Sequence, residues 1–321
     1  MVTMNKKITM ALVALMLTAP ITANASVKRT LSNTSLPAPT IAILDTAIDM
    51  SQTKFQNSVV HEVCLIEIFF DSTPRCPNGL TQMEGPGAAT LPKDRLALSG
   101  FDHGTLMADQ ALQANPNVKI VFIRIVGQRV NGTREHTNEA TVYNALQWVI
   151  NNQSKFNIQS VAMAQGSHSL GVAGTDYCPK TPTTVEKVKS LNALGVGVFF
   201  PAGNNSDYKR VSWPSCIPEA ISMGATMPTG SIAFYSNYDA KLIDFYARGT
   251  TVLYGLDAKK TNFAGTSASV LVGATSWATI KSVKSNLTYT ELYDLISRTS
   301  AVTTSSRVGS GKLIDLAKAI G

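Results

Sequence analysis

The 321-residue chain carries little charge: Asp, Glu, Lys and Arg make up only 15% of it. It contains no run of five basic residues, which excludes the electrostatic footprint of a nucleic-acid-binding protein. After residue 25 no stretch stays apolar for the roughly 20 residues that a membrane-spanning helix needs. No C-x-x-C pair offers closely spaced thiolates to a metal, and there is no internal repeat or low-complexity tract. Low charge combined with 44% hydrophobic residues excludes a disordered chain and supplies a large core.

The residues that are present first define a compartment. Lys6 and Lys7 precede an apolar stretch over residues 10–21, and Ala23-Asn24-Ala25 matches a small-x-small cleavage pattern. Residues 1–25 therefore read as a secretory signal removed before Ser26, which predicts a secreted or periplasmic protein. The short signal points to a bacterial source. Removal of Lys6 and Lys7 lowers the net charge from +7 to +5, a modest bias toward acidic partners. Cys64, Cys76, Cys178 and Cys216 form an even set, and two disulfides are expected in an exported chain. Three connectivities are open. Cys64–Cys76 and Cys178–Cys216 are favoured because each pair flanks a loop-rich segment containing Pro and Gly.

Beyond a polar lead-in at residues 26–37, apolar runs alternate with helical patterns. Short strands are predicted at residues 40–44, 118–126, 160–164, 196–200, 220–224 and 242–246. Val142, Ala145, Leu146 and Val149 follow helical spacing, residues 184–194 read as a helix, and a long apolar helix is expected over residues 267–283. Thr288 and Glu291 form a capping-box pattern before Leu292. Strands joined by helices predict one α/β domain over residues 38–321, with a mostly parallel central sheet covered by helices on both faces.

Functional side chains in such a sheet gather beyond the carboxyl ends of the strands. Asp45 ends the first strand. His103, one of only four histidines, is followed by Gly104 and Thr105 and an apolar helical start. Asn204 follows the strand at residues 196–200. Ser267 opens the long helix after Gly265, where first-turn N–H groups face any anion formed there. Singly, each has an ordinary structural explanation: a strand end, a surface histidine, a turn, a helix cap.

Taken together, they stand in the chain order Asp, His, Ser, with an Asn between His and Ser, which is the order of subtilisin. Ile43-Leu44-Asp45-Thr46-Ala47, His103-Gly104-Thr105, Ala202-Gly203-Asn204 and Gly265-Thr266-Ser267-Ala268 resemble the sequence motifs of the subtilisin-like serine peptidases, the subtilase family. The likeness extends over nearly the whole chain after the signal. It implies a three-layer subtilisin-like fold and a serine endopeptidase with Asp45, His103 and Ser267 as triad and Asn204 as oxyanion donor. It further implies a polypeptide substrate bound as an extended strand. Ala164, Gln165, Gly166, Ser167, Ala202 and Gly203 would line the groove, whose edges are expected near residues 167–171 and 102–127. On the same grounds Cys178–Cys216 would tie the loop after Gly171 to the turn near Trp213. A monomer needing no cofactor or catalytic metal is expected.

The departures from the family pattern are Ala47, Leu106, Asp109, Leu271 and Arg248, at positions where Gly, His, Gly, Pro and Pro are usual. Lys54 stands where many relatives have a calcium-binding Asp, and its ammonium argues against structural calcium there. With 19 residues between the cleavage point and Asp45, no inhibitory prodomain is expected. The alternative to an enzyme is a catalytically silent subtilase that binds peptides or a partner protein. An α/β-hydrolase built on Ser167-His168-Ser169-Leu170-Gly171 would need a later histidine, and His168 is the last one.

Overall fold

The computed structural model describes residues 38–67, 72–73, 76–98, 100–129, 133–134, 137–166 and 181–321. The expected signal and lead-in lie outside this set. The first apolar run forms β1 (Thr40–Asp45), buried along its whole length. Ile41 and Ile43 join one core while Ala42 and Leu44 join another, as the two-residue period of a strand requires. The strand thus reads as a continuous apolar run because both of its faces are covered.

Along the chain follow β2 (Val59–Leu65), β3 (Ser72–Thr73), β4 (Gln82–Glu84), β5 (Lys119–Arg124), β6 (Gln128–Arg129) and β7 (Ile158–Met163). Then come β8 (Gly197–Pro201), β9 (Ile221–Thr226), β10 (Phe245–Arg248), β11 (Thr250–Tyr254), β12 (Lys260–Ala264), β13 (Ala301–Ser305) and β14 (Gly309–Leu313). Ten of these form one sheet in the order β13-β14-β10-β9-β8-β7-β1-β5-β2-β4. Pairing is parallel from β14 through β2 and antiparallel at the two ends, β13–β14 and β2–β4.

One face of the sheet is covered by the helices His103–Ala114 and Thr266–Val283, which contribute Met107, Ala111, Val270, Ala274 and Trp277 to the first core. The other is covered by Glu139–Phe156 and Pro182–Ala193, through Val142, Leu146, Val149, Val188 and Leu191. This is the expected three-layer α/β arrangement. The capping box appears as read: Glu291 N–H donates to Thr288 Oγ1, and Thr288 N–H donates to Glu291 Oε2.

Several boundaries differ from the sequence reading. The strand expected at 242–246 begins only at Phe245, because Asp239 Oδ1 accepts from the N–H groups of Lys241 and Leu242 and holds them in a turn. Strand β2 escapes the sequence pattern because Glu62 interrupts its apolar run. Buried Glu62 accepts from Gly87 N–H at 3.0 Å and Ala89 N–H at 3.2 Å, so its charge anchors a loop from inside the sheet. The disulfide Cys64–Cys76 is present and both residues are buried. Cys216 is buried near the turn that follows Trp213, but its expected partner Cys178 lies outside the described residues.

Candidate active site

Strand β1 lies between β7 and β5, at the point where the chain's strand order reverses direction across the sheet. Crevices of open α/β sheets form beyond the carboxyl ends of strands at such a point. Asp45 ends β1, Ala164 and Gln165 follow β7, and Gly203 and Asn204 follow β8.

The loop after Asp45 is sewn to the His103 helix. Thr46 Oγ1 donates to the Phe101 carbonyl at 2.9 Å and accepts from Gly104 N–H at 2.9 Å, while Asp49 N–H donates to Thr105 Oγ1 at 3.0 Å. The helix can approach this closely only because residue 104 is glycine: a Cβ there would lie 2.5 Å from the Ala47 carbonyl oxygen. Ala47 itself has no positive φ, so its methyl group is accommodated where the family favours glycine.

Asp45 is fully buried and surrounded by donors. His103 Nδ1 lies 2.8 Å from Oδ1 and 3.0 Å from Oδ2. Thr46 N–H donates to Oδ1 at 2.6 Å and Gln165 Nε2 donates to the same oxygen at 2.9 Å. An ionised carboxylate only accepts hydrogen bonds. His103 therefore carries its proton on Nδ1, which leaves Nε2 as the basic nitrogen. By the same logic the 3.1 Å approach of Gln165 Nε2 to His103 Nδ1 sets two donors side by side on one carboxylate.

Ser267 sits in the first turn of its helix and is 7% exposed. Its Oγ donates to the Ala164 carbonyl at 3.1 Å. That carbonyl, expected to bind substrate, is thus the hydroxyl's partner among the described residues, in place of the imidazole. Asn204 is exposed, and its Oδ1 accepts from Thr266 N–H at 2.8 Å and Thr266 Oγ1 at 2.9 Å. Both lone-pair sites being taken, the amide turns its Nδ2 donor away from Thr266, and that nitrogen lies 3.4 Å from the position of a Cβ on Gly265.

These groups share a cleft of about 320 Å³ lined by His103, Gln165, Gly166, Gly203, Asn204 and Ser267, with Ala164, Phe263, Thr266 and Arg134 also on its walls. Of the residues assigned to substrate from the sequence, Ala202 does not line this cleft. Its methyl is buried, its N–H donates to the Met223 carbonyl, and its carbonyl accepts from Ser212 N–H, so its backbone is consumed by the fold. Ser167 lies outside the described residues. Gln165 reaches the Asp45–His103 pair as well as the cleft, and its amide had no signal in the sequence. Arg134 likewise carries no spacing pattern that would single it out, and Thr266 stood in the Ser267 motif without a role of its own.

Residues 37–311 match the Subtilase family, so the protein belongs to that family. It is similar to a cuticle-degrading serine protease of Arthrobotrys oligospora, 26% identical over 220 residues that cover 67% of this chain and 44% of the relative. It is also similar to an extracellular basic protease of Dichelobacter nodosus, 29% identical over 146 residues covering 41% of this chain and 24% of the relative. The chain thus spans less than half the length of these two proteins. In structure it resembles a protease from Pseudoalteromonas arctica with a TM-score of 0.68 and 18% identity, covering 88% of this chain and 89% of that one. This last likeness establishes the subtilisin-like fold.

Proposed function

We propose that the protein is a serine endopeptidase that hydrolyses peptide bonds through an acyl-enzyme. The observation that carries this reading is the union of an Asp45–His103 hydrogen bond of 2.8 Å with Ser267 and Asn204 in one cleft. Ser267 Oγ attacks the scissile carbonyl while its proton passes to His103 Nε2. The imidazolium then gives that proton to the leaving amine, and water repeats the sequence on the acyl-enzyme. Asp45 remains ionised, holds the Nδ1–H tautomer and stabilises the imidazolium. The Asn204 amide and the Ser267 N–H at the helix N-terminus donate to the oxyanion.

The substrate enters as an extended strand, with Gly166 and Gly203 presenting backbone to it. The protein acts outside the cytoplasm, a reading supported by the signal-like N-terminus and the Cys64–Cys76 disulfide. Catalysis uses side chains and backbone alone.

A second reading, a silent peptide-binding subtilase, is favoured by one observation: Ser267 Oγ donates to the Ala164 carbonyl and not to His103. Catalytic hydrogen bonds often tighten only in the substrate complex, so this geometry is compatible with turnover. A fluorophosphonate probe decides between the two. A single adduct on Ser267, absent from His103→Ala, together with cleavage of unfolded casein, establishes the peptidase. A folded protein that forms no adduct and leaves casein intact establishes the binder.

A further inference from the structure

Among the described residues formal charge is scarce on the walls of the cleft. Asp45 lies beneath His103 with no exposed surface, and Asp102, although next to His103 in sequence, turns its carboxylate toward Gly255. The charged exception is Arg134, which is exposed and lines the same cavity as His103, Gln165 and Ser267. Its position is built. The backbone forms an antiparallel bridge with Gln128, whose side chain in turn accepts from Arg95 at 3.0 Å. The guanidinium lies against Gly100, three residues before His103, where a Cβ would approach Nη1 to 3.4 Å. Gly100 has φ +80°, a conformation that side chains other than glycine's rarely adopt, so the turn on which the guanidinium rests favours glycine.

Among the described residues the Arg134 guanidinium makes no ion pair and no hydrogen bond. Five N–H donors in a planar fork thus face the cleft with no acceptor among the described residues, and their geometric complement is a carboxylate. We infer that Arg134 makes this cleft selective for polypeptides carrying a glutamate or aspartate on the His103 side of the scissile bond. The inference deepens the peptidase reading and rests on it for the term scissile bond. The groove's selectivity can be measured without turnover. The net charge, +5 once Lys6 and Lys7 are removed with the signal, acts in the same direction, raising the local concentration of acidic segments before they dock.

The test uses Ser267→Ala protein, checked for folding by circular dichroism, and fluorescent octapeptides in which one Glu is walked along the sequence. Each peptide is matched to its Gln counterpart. At one position Glu should bind on the order of five-fold more tightly than Gln at low salt, as an exposed charge pair allows, and the ratio should fall as salt is added. Arg134→Gln should abolish the ratio, and Arg134→Glu should replace it by a preference for Lys at that position. Equal binding of Glu and Gln at every position, a ratio that survives Arg134→Gln, or no peptide binding to the folded protein would overturn the inference. Cleavage maps of unfolded proteins digested by the unmodified enzyme provide a second reading of the same preference. An enzyme that cuts casein without regard to acidic residues refutes the inference and leaves the peptidase intact. A protein that binds Glu peptides selectively but cuts nothing refutes the peptidase and leaves the Arg134 assignment intact.

Discussion

Lys54 and Asp109, two residues at which the chain departs from its family, are ion-pair partners. The Lys54 ammonium bonds Asp109 Oδ1 and packs over the rings of Phe55 and Tyr254, while Asp109 Oδ2 accepts from Gln113 Nε2 at 2.8 Å and Tyr254 N–H at 2.9 Å. Two changes that looked independent in the sequence therefore form one structural unit. It ties the segment after β1 to the His103 helix and to the β11–β12 hairpin.

That unit predicts a coupling energy. Asp109 is buried but the Lys54 side chain is 32% exposed, so water screens the pair and its strength falls below that of a fully buried one. Asp109→Asn should cost about 1–3 kcal/mol in urea unfolding, since the ammonium loses its partner. The double variant Lys54→Met, Asp109→Asn should cost less than the sum of the two single changes. Additive losses would show that the pair contributes nothing beyond its separate contacts.

Gln165 should act on turnover through the Asp45–His103 pair. Replacement by Leu removes one of the donors on Asp45 Oδ1 and frees the carboxylate to rotate. The expected result is a kcat about tenfold lower with KM nearly unchanged, as for loss of a hydrogen bond to a charged group. The His103 Nδ1 proton resonance should also move in the NMR spectrum. A rise in KM with unchanged kcat would instead assign Gln165 to substrate binding alone.

Thr266 orients Asn204 through its hydroxyl and its N–H. Thr266→Val deletes the hydroxyl contact and should lower kcat about tenfold, less than the 10²–10³-fold already known for removing the oxyanion donor from subtilisin itself. Thr266→Ser should restore most of the rate. Equal activity of the Val and Ser variants would show that the N–H alone holds the amide.

Asp49 should make stability depend on acid pH. Burial opposes its ionisation, but hydrogen bonds from the side chains of Ser51 and Gln52 and the N–H groups of Ser51 and Asp257 outweigh it, holding the carboxyl below the ordinary value of 3.8. A lowered value in the folded state means that the ionised form stabilises the fold. That contribution is complete above the unfolded value and is lost as pH falls through the folded one. The difference in urea midpoint between the parent and Asp49→Asn should therefore be largest near neutrality and shrink below about pH 4. A difference independent of pH would place the effect in packing.

Much of this protein was legible in its sequence because its chemistry is local. A strand buried on both faces must be continuously apolar, so residues 118–126 and 196–200 announced themselves as strands covered on both sides. Gly104 is imposed by the closeness of the Ala47 carbonyl and the Phe122 ring, and it marked the His103 motif. The capping box was readable because Thr288 and Glu291 answer each other within a single turn.

Other features depend on contacts between residues far apart in the chain, which no period or spacing records. Lys54 meets Asp109 across 55 positions, Asp45 meets Gln165 across 120, and Thr266 meets Asn204 across 62. Glu62 broke the pattern of β2 because its partners are the N–H groups of a loop, and Ala202 lost its expected place in the groove because the sheet takes its N–H. The sequence by itself determined which reactive residues exist and at which strand ends they fall. Only the tertiary structure decided which donors surround Asp45, which carbonyl holds Ser267, and that the Arg134 guanidinium faces the cleft. Hydrogen bonds and charges act through distance in space, and folding sets that distance.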